Sequence, residues 1–131
     1  MKSIVFKKAI IALMILGSSS LLYADVFDDV VNALKAQDAR EVSKYLNSTV
    51  DLTINNQEGV CSKQQAEMMI RNFLTKYPAK DIAIQHRGSS AQGAKYAIAN
   101  YETEQTKFRV YIFLKMVGNQ MLVHEMRIEK E

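Results

Sequence analysis

Hydrophobic positions in the first half of the chain recur mostly at helical spacing. Residues 26–34 place apolar side chains every three or four positions, and acidic residues fill the first turn, where the positive end of the helix dipole favours them. A second, short helix is predicted to begin at Asp38, with Glu41 as its capping-box partner, and to turn Leu46 inward. Residues 47–49 match a glycosylation sequon, and we interpret them as the end of this helix.

The next segment changes to a strand and then back to a helix. Polar and apolar residues alternate over residues 50–54, which is typical of a strand with one buried face, and residues 55–59 are turn formers. Ser62 is predicted to cap the longest helix, with Gln65 as its reciprocal partner, and Pro78 to end it. The apolar stripe of this helix consists of Ala66, Met69, Ile70, Phe73, Leu74 and Tyr77.

From residue 81 the hydrophobic period changes from 3.6 to 2, which predicts four strands joined as a meander. The first includes Ile82 and closes at residues 88–93, and the others cover residues 94–103, 107–117 and 120–129. A long antiparallel sheet must bury one face, and the preceding helices are its natural cover. The predicted fold class is therefore α+β, with N-terminal helices packed on a curved, mostly antiparallel sheet.

The first 24 residues follow a different pattern. A basic lead is followed by an apolar run over residues 9–16, too short to span a bilayer, and then by small residues that end at Ala24. This layout predicts a signal peptide over residues 1–24, cleaved after Ala24 or, as the alternative, after Ser20. We therefore expect an exported protein, periplasmic or secreted, whose mature part, residues 25–131, forms a single domain with no membrane attachment.

Charge and cysteine content narrow the function classes. The chain carries 17 basic and 14 acidic residues, but three of the bases and none of the acids lie in the leader, so residues 25–131 are formally neutral. This balance gives no support for binding to nucleic acid or to an anionic membrane. Cys61 is the only cysteine, so no internal disulfide can form. We interpret it as a half-buried small hydrophobe, with a reactive thiol or an intermolecular bridge as alternatives.

The order of elements resembles the nuclear transport factor 2-like (cystatin-like) superfamily over residues 25–131. More narrowly, residues 62–66 with Phe73, residues 86–90 and residues 108–111 resemble a family of small exported bacterial proteins catalogued as a domain of unknown function. The resemblance implies a cone-shaped domain. Its superfamily hosts isomerases, dehydratases and lyases beside binding and dimerising members, so the fold does not select a function. In the enzymatic relatives an acid on a strand works with a tyrosine inside the cone, and no such pair maps onto this chain.

The two-residue turn Gly118-Asn119 predicts a hairpin register for the last two strands. In that register Phe113 faces His124 and Tyr111 faces Met126. One face is then aliphatic core: Phe108, Val110, Ile112, Leu114, Met116, Met121 and Val123. The other face carries Arg109, Tyr111, Phe113, Leu122, His124, Met126 and Ile128, and Ala97, Ala99 and Tyr101 join it if Glu102 lies opposite Phe108.

This second face holds the candidate site. It is too apolar to be left in water, so it either lines the cone as a pocket or docks onto another subunit, which favours a homodimer. Its polar groups are the candidate ligand-binding or interface residues: Tyr101, Arg109, Tyr111 and His124. An arginine can clamp a carboxylate, a histidine titrates near neutral pH, and a tyrosine supplies a hydroxyl on an apolar ring. An ordinary interface explains the same mixture.

No catalytic or metal-binding signature accompanies these residues, and no cofactor is expected. His86 is expected to point inward as a hydrogen-bonded core residue, and the histidines and acids do not stand at metal-ligand spacing. The favoured function is an exported, non-catalytic module that binds a small ligand or a protein partner and dimerises through its sheet. The alternative is a small pocket enzyme, of isomerase, dehydratase or lyase type, that transfers protons with His124 and either Tyr101 or Tyr111.

Overall fold

A computed structural model of the protein describes residues 25–131. The predicted signal peptide lies outside these residues. The described part contains three α-helices and one six-stranded sheet, with a short 3-10 turn at Ala91–Gly93. The elements in chain order are α1 (Val26–Lys35), α2 (Ala39–Ser43), β1 (Leu46–Ile54), β2 (Gln57–Ser62), α3 (Lys63–Lys76), β3 (Asp81–Ser89), β4 (Lys95–Glu102), β5 (Lys107–Val117) and β6 (Gln120–Lys130).

Side-chain caps fix where the helices begin. The Ser62 hydroxyl accepts from the Gln65 amide at 3.2 Å, and the Gln65 side chain accepts from the Ser62 amide at 3.0 Å, so the predicted capping box of α3 is complete. Asp38 accepts from the Glu41 amide at 3.0 Å. The reciprocal half of that predicted box does not form, because the Glu41 carboxylate pairs with Lys44 at 2.7 Å instead.

Two predictions about residues 46–62 are wrong. Leu46 and residues 47–49 do not end a helix; they begin strand β1, since Leu46 pairs with Val123 of β6 and is fully buried. The turn predicted over residues 55–59 is confined to Asn55 and Asn56, whose left-handed backbone angles (φ 47° and 72°) turn the chain back along β1, and residues 57–62 form strand β2.

The strand order is β2-β1-β6-β5-β4-β3, and only the β1–β6 pairing is parallel. The helices cover one face of this curved sheet, which we call the inner face, and the opposite face is the outer face. This arrangement confirms the predicted α+β fold class. Buried inner-face residues of the last three strands form most of the sheet side of the core: Ala97, Ala99, Tyr101, Phe108, Val110, Ile112, Leu114, Val123, Met126 and Ile128.

The β5–β6 register departs from the predicted one at a bulge. Val117 lies opposite Gln120 as expected, but an extra residue, His124, interrupts the ladder, and Phe113 pairs with Glu125 rather than with His124. A bulge shifts the alternation by one residue. Met126 and Ile128 therefore lie on the inner face and are fully buried, not on the second face as predicted.

The predicted pairing of β4 with β5 is wrong by one residue, and the predicted face of Tyr101 is therefore wrong as well. Glu102 pairs with Lys107, so Tyr101 lies opposite Phe108 on the inner face. The turn between them is held by Thr103, whose hydroxyl accepts from the Thr106 amide at 3.0 Å and donates to the Thr106 carbonyl at 2.9 Å. These bonds place Thr103 in the turn, so β4 ends at Glu102, one residue earlier than predicted.

Two methionines at the hairpin tip lie outside the expected core. Met116 is 55% exposed and Met121 is half-buried, because the tip of β5–β6 extends past the helices that cover the rest of the inner face. None of the helices within residues 25–131 is long and apolar enough to cross a membrane.

Candidate functional site

The outer face of the sheet carries a strip of half-buried apolar side chains that no helix in residues 25–131 covers. Tyr96 and Ile98 of β4 pair with Phe113 and Tyr111 of β5, and period-2 alternation brings all four to this face. Each of these four side chains is half-buried. We call these residues, with His86 of β3 and Arg127 of β6, the outer strip.

Ring contacts connect the outer strip across four adjacent strands. The ring of His86 lies 5.6 Å from that of Tyr96, and its Nε2 is 3.2 Å from the Tyr96 hydroxyl. Tyr96 stacks on Tyr111 with centroids 6.2 Å apart and an interplanar angle of 29°. The guanidinium carbon of Arg127 stands 5.7 Å above the Tyr111 ring, within cation–π range. The rings thus hold one another in place.

A glycine makes room for one of these rings. Gly88 pairs with Tyr96 across the β3–β4 ladder, and a β-carbon built on Gly88 would overlap the Tyr96 ring. The tyrosine therefore lies flat over the neighbouring strand, in the position of the missing side chain.

Charged groups of both signs border the strip. Arg127 Nε lies 2.6 Å from Glu125 Oε1, and Arg109 Nε lies 3.6 Å from Glu131 Oε1. Arg109, Tyr111 and Arg127 line a cleft of about 190 Å³ together with Ile98 and Glu129. Burial, and secondly the nearby Glu125 carboxylate, raise the pKa of Tyr111. The cleft therefore combines an apolar floor with two guanidinium groups, each of which has a carboxylate beside it.

His124 occupies the bulge of β6. The alternation that buries Val123 places His124 on the outer side, beside Glu125 and near Lys115. Its Nε2 atom is buried and has no hydrogen-bond partner among the described residues. Burial, and secondly the Lys115 ammonium, lower the pKa of His124, so the ring is neutral at pH 7.

Of the four candidate residues, the structure brings two together. Arg109 and Tyr111 line the same outer cleft, and His124 lies on the same side at the bulge but outside that cleft. Tyr101 lies on the opposite face, where it is fully buried and its hydroxyl donates to the Tyr77 carbonyl. Burial raises the pKa of Tyr101 to about 12.

Sequence reasoning missed several members of the strip. Tyr96, Ile98 and Arg127 carry no motif, and only the correct registers of β4 and β6 identify them. His86 was expected to point inward, but it is exposed on the outer face, since a register shift between Ile84 and His86 reverses the alternation of β3.

Aromatic side chains fill the interior between α3 and the sheet. The Phe73 ring lies 5.3 Å from Tyr101 and 5.0 Å from Phe108, and Tyr77 lies 4.8 Å from Phe108. These are edge-on contacts of a packed core. Within residues 25–131, no group of three or more histidine, cysteine, aspartate or glutamate side chains is placed to hold a metal ion.

A larger cleft, of about 530 Å³, lies elsewhere, between the start of α1, the end of β3 and the start of β4. Arg87 lies there, and it pairs with both Asp25 and Asp28, the second at 2.7 Å. Two carboxylates neutralise this guanidinium, which leaves it poorly suited to bind an anion. The outer strip has a smaller cleft, but it carries half-buried aromatic side chains that no helix in residues 25–131 covers.

Cys61 has the character expected of a structural cysteine. It is half-buried against the core, and its thiol lies 3.7 Å from the Val50 carbonyl oxygen. Burial, and secondly the Asp51 carboxylate, raise the pKa of the thiol. Because the thiolate is the reactive form, these surroundings argue against a nucleophilic role.

Residues 27–129 match the domain of unknown function DUF4783. The chain belongs to the DUF4783 family. No curated protein matches it.

Solved structures of this family share the fold. A DUF4783 family protein from Bacteroides uniformis is 29% identical, with a TM-score of 0.76 over 82% of this chain and 98% of that chain. One from Bacteroides ovatus is 32% identical, with a TM-score of 0.73 over 79% and 93%. A nuclear transport factor 2-like protein of unknown function from Shewanella baltica is 15% identical, with a TM-score of 0.63 over 81% and 88%. The expected nuclear transport factor 2-like fold is thereby confirmed.

Proposed function

We propose that this DUF4783 protein is an exported, non-catalytic binding module that pairs with a second copy of itself through the outer face of its sheet. The observation that carries the proposal is the outer strip: Tyr96, Ile98, Tyr111 and Phe113 are half-buried without a covering layer in residues 25–131. Contiguous apolar surface of this kind, rich in tyrosine and bordered by arginine, is characteristic of protein interfaces.

The charges around the strip favour a second copy as the occupant. Arg109 and Arg127 stand beside Glu125 and Glu129 on the same face. A two-fold axis places the same patch on both subunits, so such a patch must be complementary to itself. Because both signs are present at neighbouring positions, the arginines of one copy can meet the glutamates of the other.

The alternative function, a proton-transferring pocket enzyme, receives less support. Its proposed groups lie apart, since Tyr101 is on the inner face, and His124 is on the outer side but outside the cleft that Tyr111 lines. Tyr101, with a pKa of about 12, is a weak proton donor near neutral pH. The interior of the cone, where superfamily resemblance would place a pocket, is occupied by Phe73, Tyr77 and Phe108.

A single charge on the strip tests the proposal. Phe113→Asp should give a folded protein that no longer self-associates, because the contact would bury an unpaired carboxylate. The measurements are light scattering for mass and circular dichroism for fold. Asn32→Asp, which adds the same charge on an exposed position of α1, should keep the dimer. A wild-type chain that is monomeric at high concentration, or a Phe113→Asp chain that still dimerises, would contradict the proposal.

Export is proposed from residues 1–24 alone, whose basic, apolar and small segments follow the signal-peptide layout. Intact-mass measurement of protein recovered from the periplasm or medium should give a chain that begins at Asp25. A mass that retains the apolar leader would contradict both the export and the cleavage site.

A further inference from the structure

The two edges of the sheet are protected very differently. Edge strand β3 has a register shift after Ile84, and Arg87 ties it to the start of α1 through Asp25 and Asp28. Edge strand β2 pairs with β1 in an uninterrupted register and contains no proline, lysine or arginine. Bulges, charges and covering elements are the usual means of preventing strand addition at an edge. Of the two edge strands, β2 has no register shift, and Glu58 is its single charged residue.

A groove runs between β2 and helix α3. Two adjoining clefts, of about 370 Å³ and about 310 Å³, share Met69 and Asn72 as lining residues. The helix contributes a stripe at helical spacing beside its core stripe: Gln65, Met68, Met69, Asn72 and Lys76. Met68, which lines the groove, is 61% exposed. Exposed methionine is suited to partners of varied shape because its side chain is flexible and polarizable.

The dimensions of the groove suit an extended polypeptide. Gln65 to Lys76 spans roughly 17 Å at the rise of an α-helix. The six residues of β2 span roughly 20 Å, so one added strand of about six residues fits both walls. At Gly59, whose neighbours leave the space of a β-carbon empty, the wall is open to the partner's side chains.

Polar groups at one end of the groove select the chemistry of the partner. Asn55 lines this end, and its buried Oδ1 atom accepts no hydrogen bond within the described residues. Lys76 lines the same cleft and is the only charged group among the lining residues of the two clefts. An acidic side chain or a terminal carboxylate at this end of the partner would complement it.

We propose that β2 and the Gln65–Lys76 side of α3 take an extended segment of another protein by strand addition, with apolar side chains at alternate positions and an acidic group at the Lys76 end. The partner's backbone would pair with the free edge of β2. This surface lies at the edge of the sheet opposite to β3, separate from the outer strip, so the proposal does not depend on dimerisation through that strip.

The test is a displayed library of random octapeptides selected on the full mature chain, with recovered peptides titrated by fluorescence polarisation. We expect peptides with alternating apolar residues and an acid near one end. Met68→Glu should weaken their binding at least about tenfold, because it sets a charge against apolar side chains. Gln64→Glu, an equally charged change on an exposed position of α3 outside the groove, should weaken it less than about twofold.

Two further variants refine the readout. Lys76→Gln should weaken peptides that end in an acid and leave their amide-terminated analogues unchanged. Phe113→Asp should not alter peptide binding, which separates this groove from the outer strip. The proposal is overturned if the library yields no binder, or if binders tolerate Met68→Glu. It is equally overturned if sedimentation shows a wild-type dimer that Met68→Glu dissociates, since β2 would then pair with a second copy.

Discussion

The inner and outer faces of strands β4, β5 and β6 arise from one alternation of residues, yet they differ in how they are stabilised. On the inner face, residues such as Ala99, Val110 and Ile128 are almost fully buried under the helices. On the outer face, Tyr96, Tyr111 and Arg127 are held by ring stacking and cation–π contact and remain partly exposed. The inner face therefore carries the core, whereas the outer face leaves aromatic surface in contact with solvent.

The largest expected difference in stability is between variants at the two phenylalanines of β5. Phe108 on the inner face is fully buried against Phe73, Tyr77 and Tyr101, whereas Phe113 on the outer face is half-buried. Phe108→Ala should cost about 3–5 kcal/mol of unfolding free energy. Phe113→Ala should cost about 1 kcal/mol in dilute protein, where association adds nothing. Urea midpoints measure both, and equal losses would contradict the assignment of the two faces.

Tyrosine hydroxyls give a smaller contrast. Tyr101→Phe removes the donor to the Tyr77 carbonyl in the core and should cost about 1–2 kcal/mol, because the carbonyl is left without that partner. Tyr96→Phe removes a 3.2 Å contact with the exposed His86 and should cost about 0.5 kcal/mol or less. Thermal unfolding of the two variants provides the comparison. A larger loss for Tyr96 would mean that the outer strip stabilises the monomer.

The smallest effect concerns pH. Burial and Lys115 lower the pKa of His124 in the folded chain, so the unfolded chain binds the proton more tightly. The stability contributed by the neutral ring is present above the unfolded pKa of about 6.5 and is lost as the pH falls below it. Urea midpoints should therefore decline between about pH 7.5 and pH 5.5.

Variants at two positions check the cause of this decline. His124→Gln should flatten the profile, since the titrating group is gone. Lys115→Gln should reduce the slope by removing one of the two causes of the shift. An unchanged slope in His124→Gln would assign the acid sensitivity to another group.

Local signals in the sequence predicted most of the helices and strands but not every register. Ser62 with Gln65, and the turn Gly118-Asn119, act within a few residues of the backbone that they organise, so their predictions are confirmed. The bulge at His124 and the shortened strand end at Thr103 depend on pairing with a neighbouring strand. Each moves the register by one residue, which exchanges the faces.

The same dependence on strand register explains which candidate site residues were assigned to the correct face. Arg109 and Tyr111 were placed together correctly, because both lie on β5 and alternation within one strand needs no partner. Tyr101 was assigned to the wrong face because its position required the β4–β5 register. Strand β2 was missed since its exposed residues, such as Glu58 and Val60, show no burial pattern, and only the left-handed turn before it returns the chain to β1.

Gly88 beneath the ring of Tyr96 makes two positions on different strands depend on each other unequally. A side chain at position 88 overlaps the end of the ring, so Tyr96 must either turn away from β3 or be replaced by a smaller residue. The reverse order has no such requirement, since losing the ring leaves Gly88 unaffected. A side chain introduced at position 88 should therefore cost the ring contacts that Tyr96 makes with His86 and Tyr111, and this cost should disappear once position 96 carries a smaller residue.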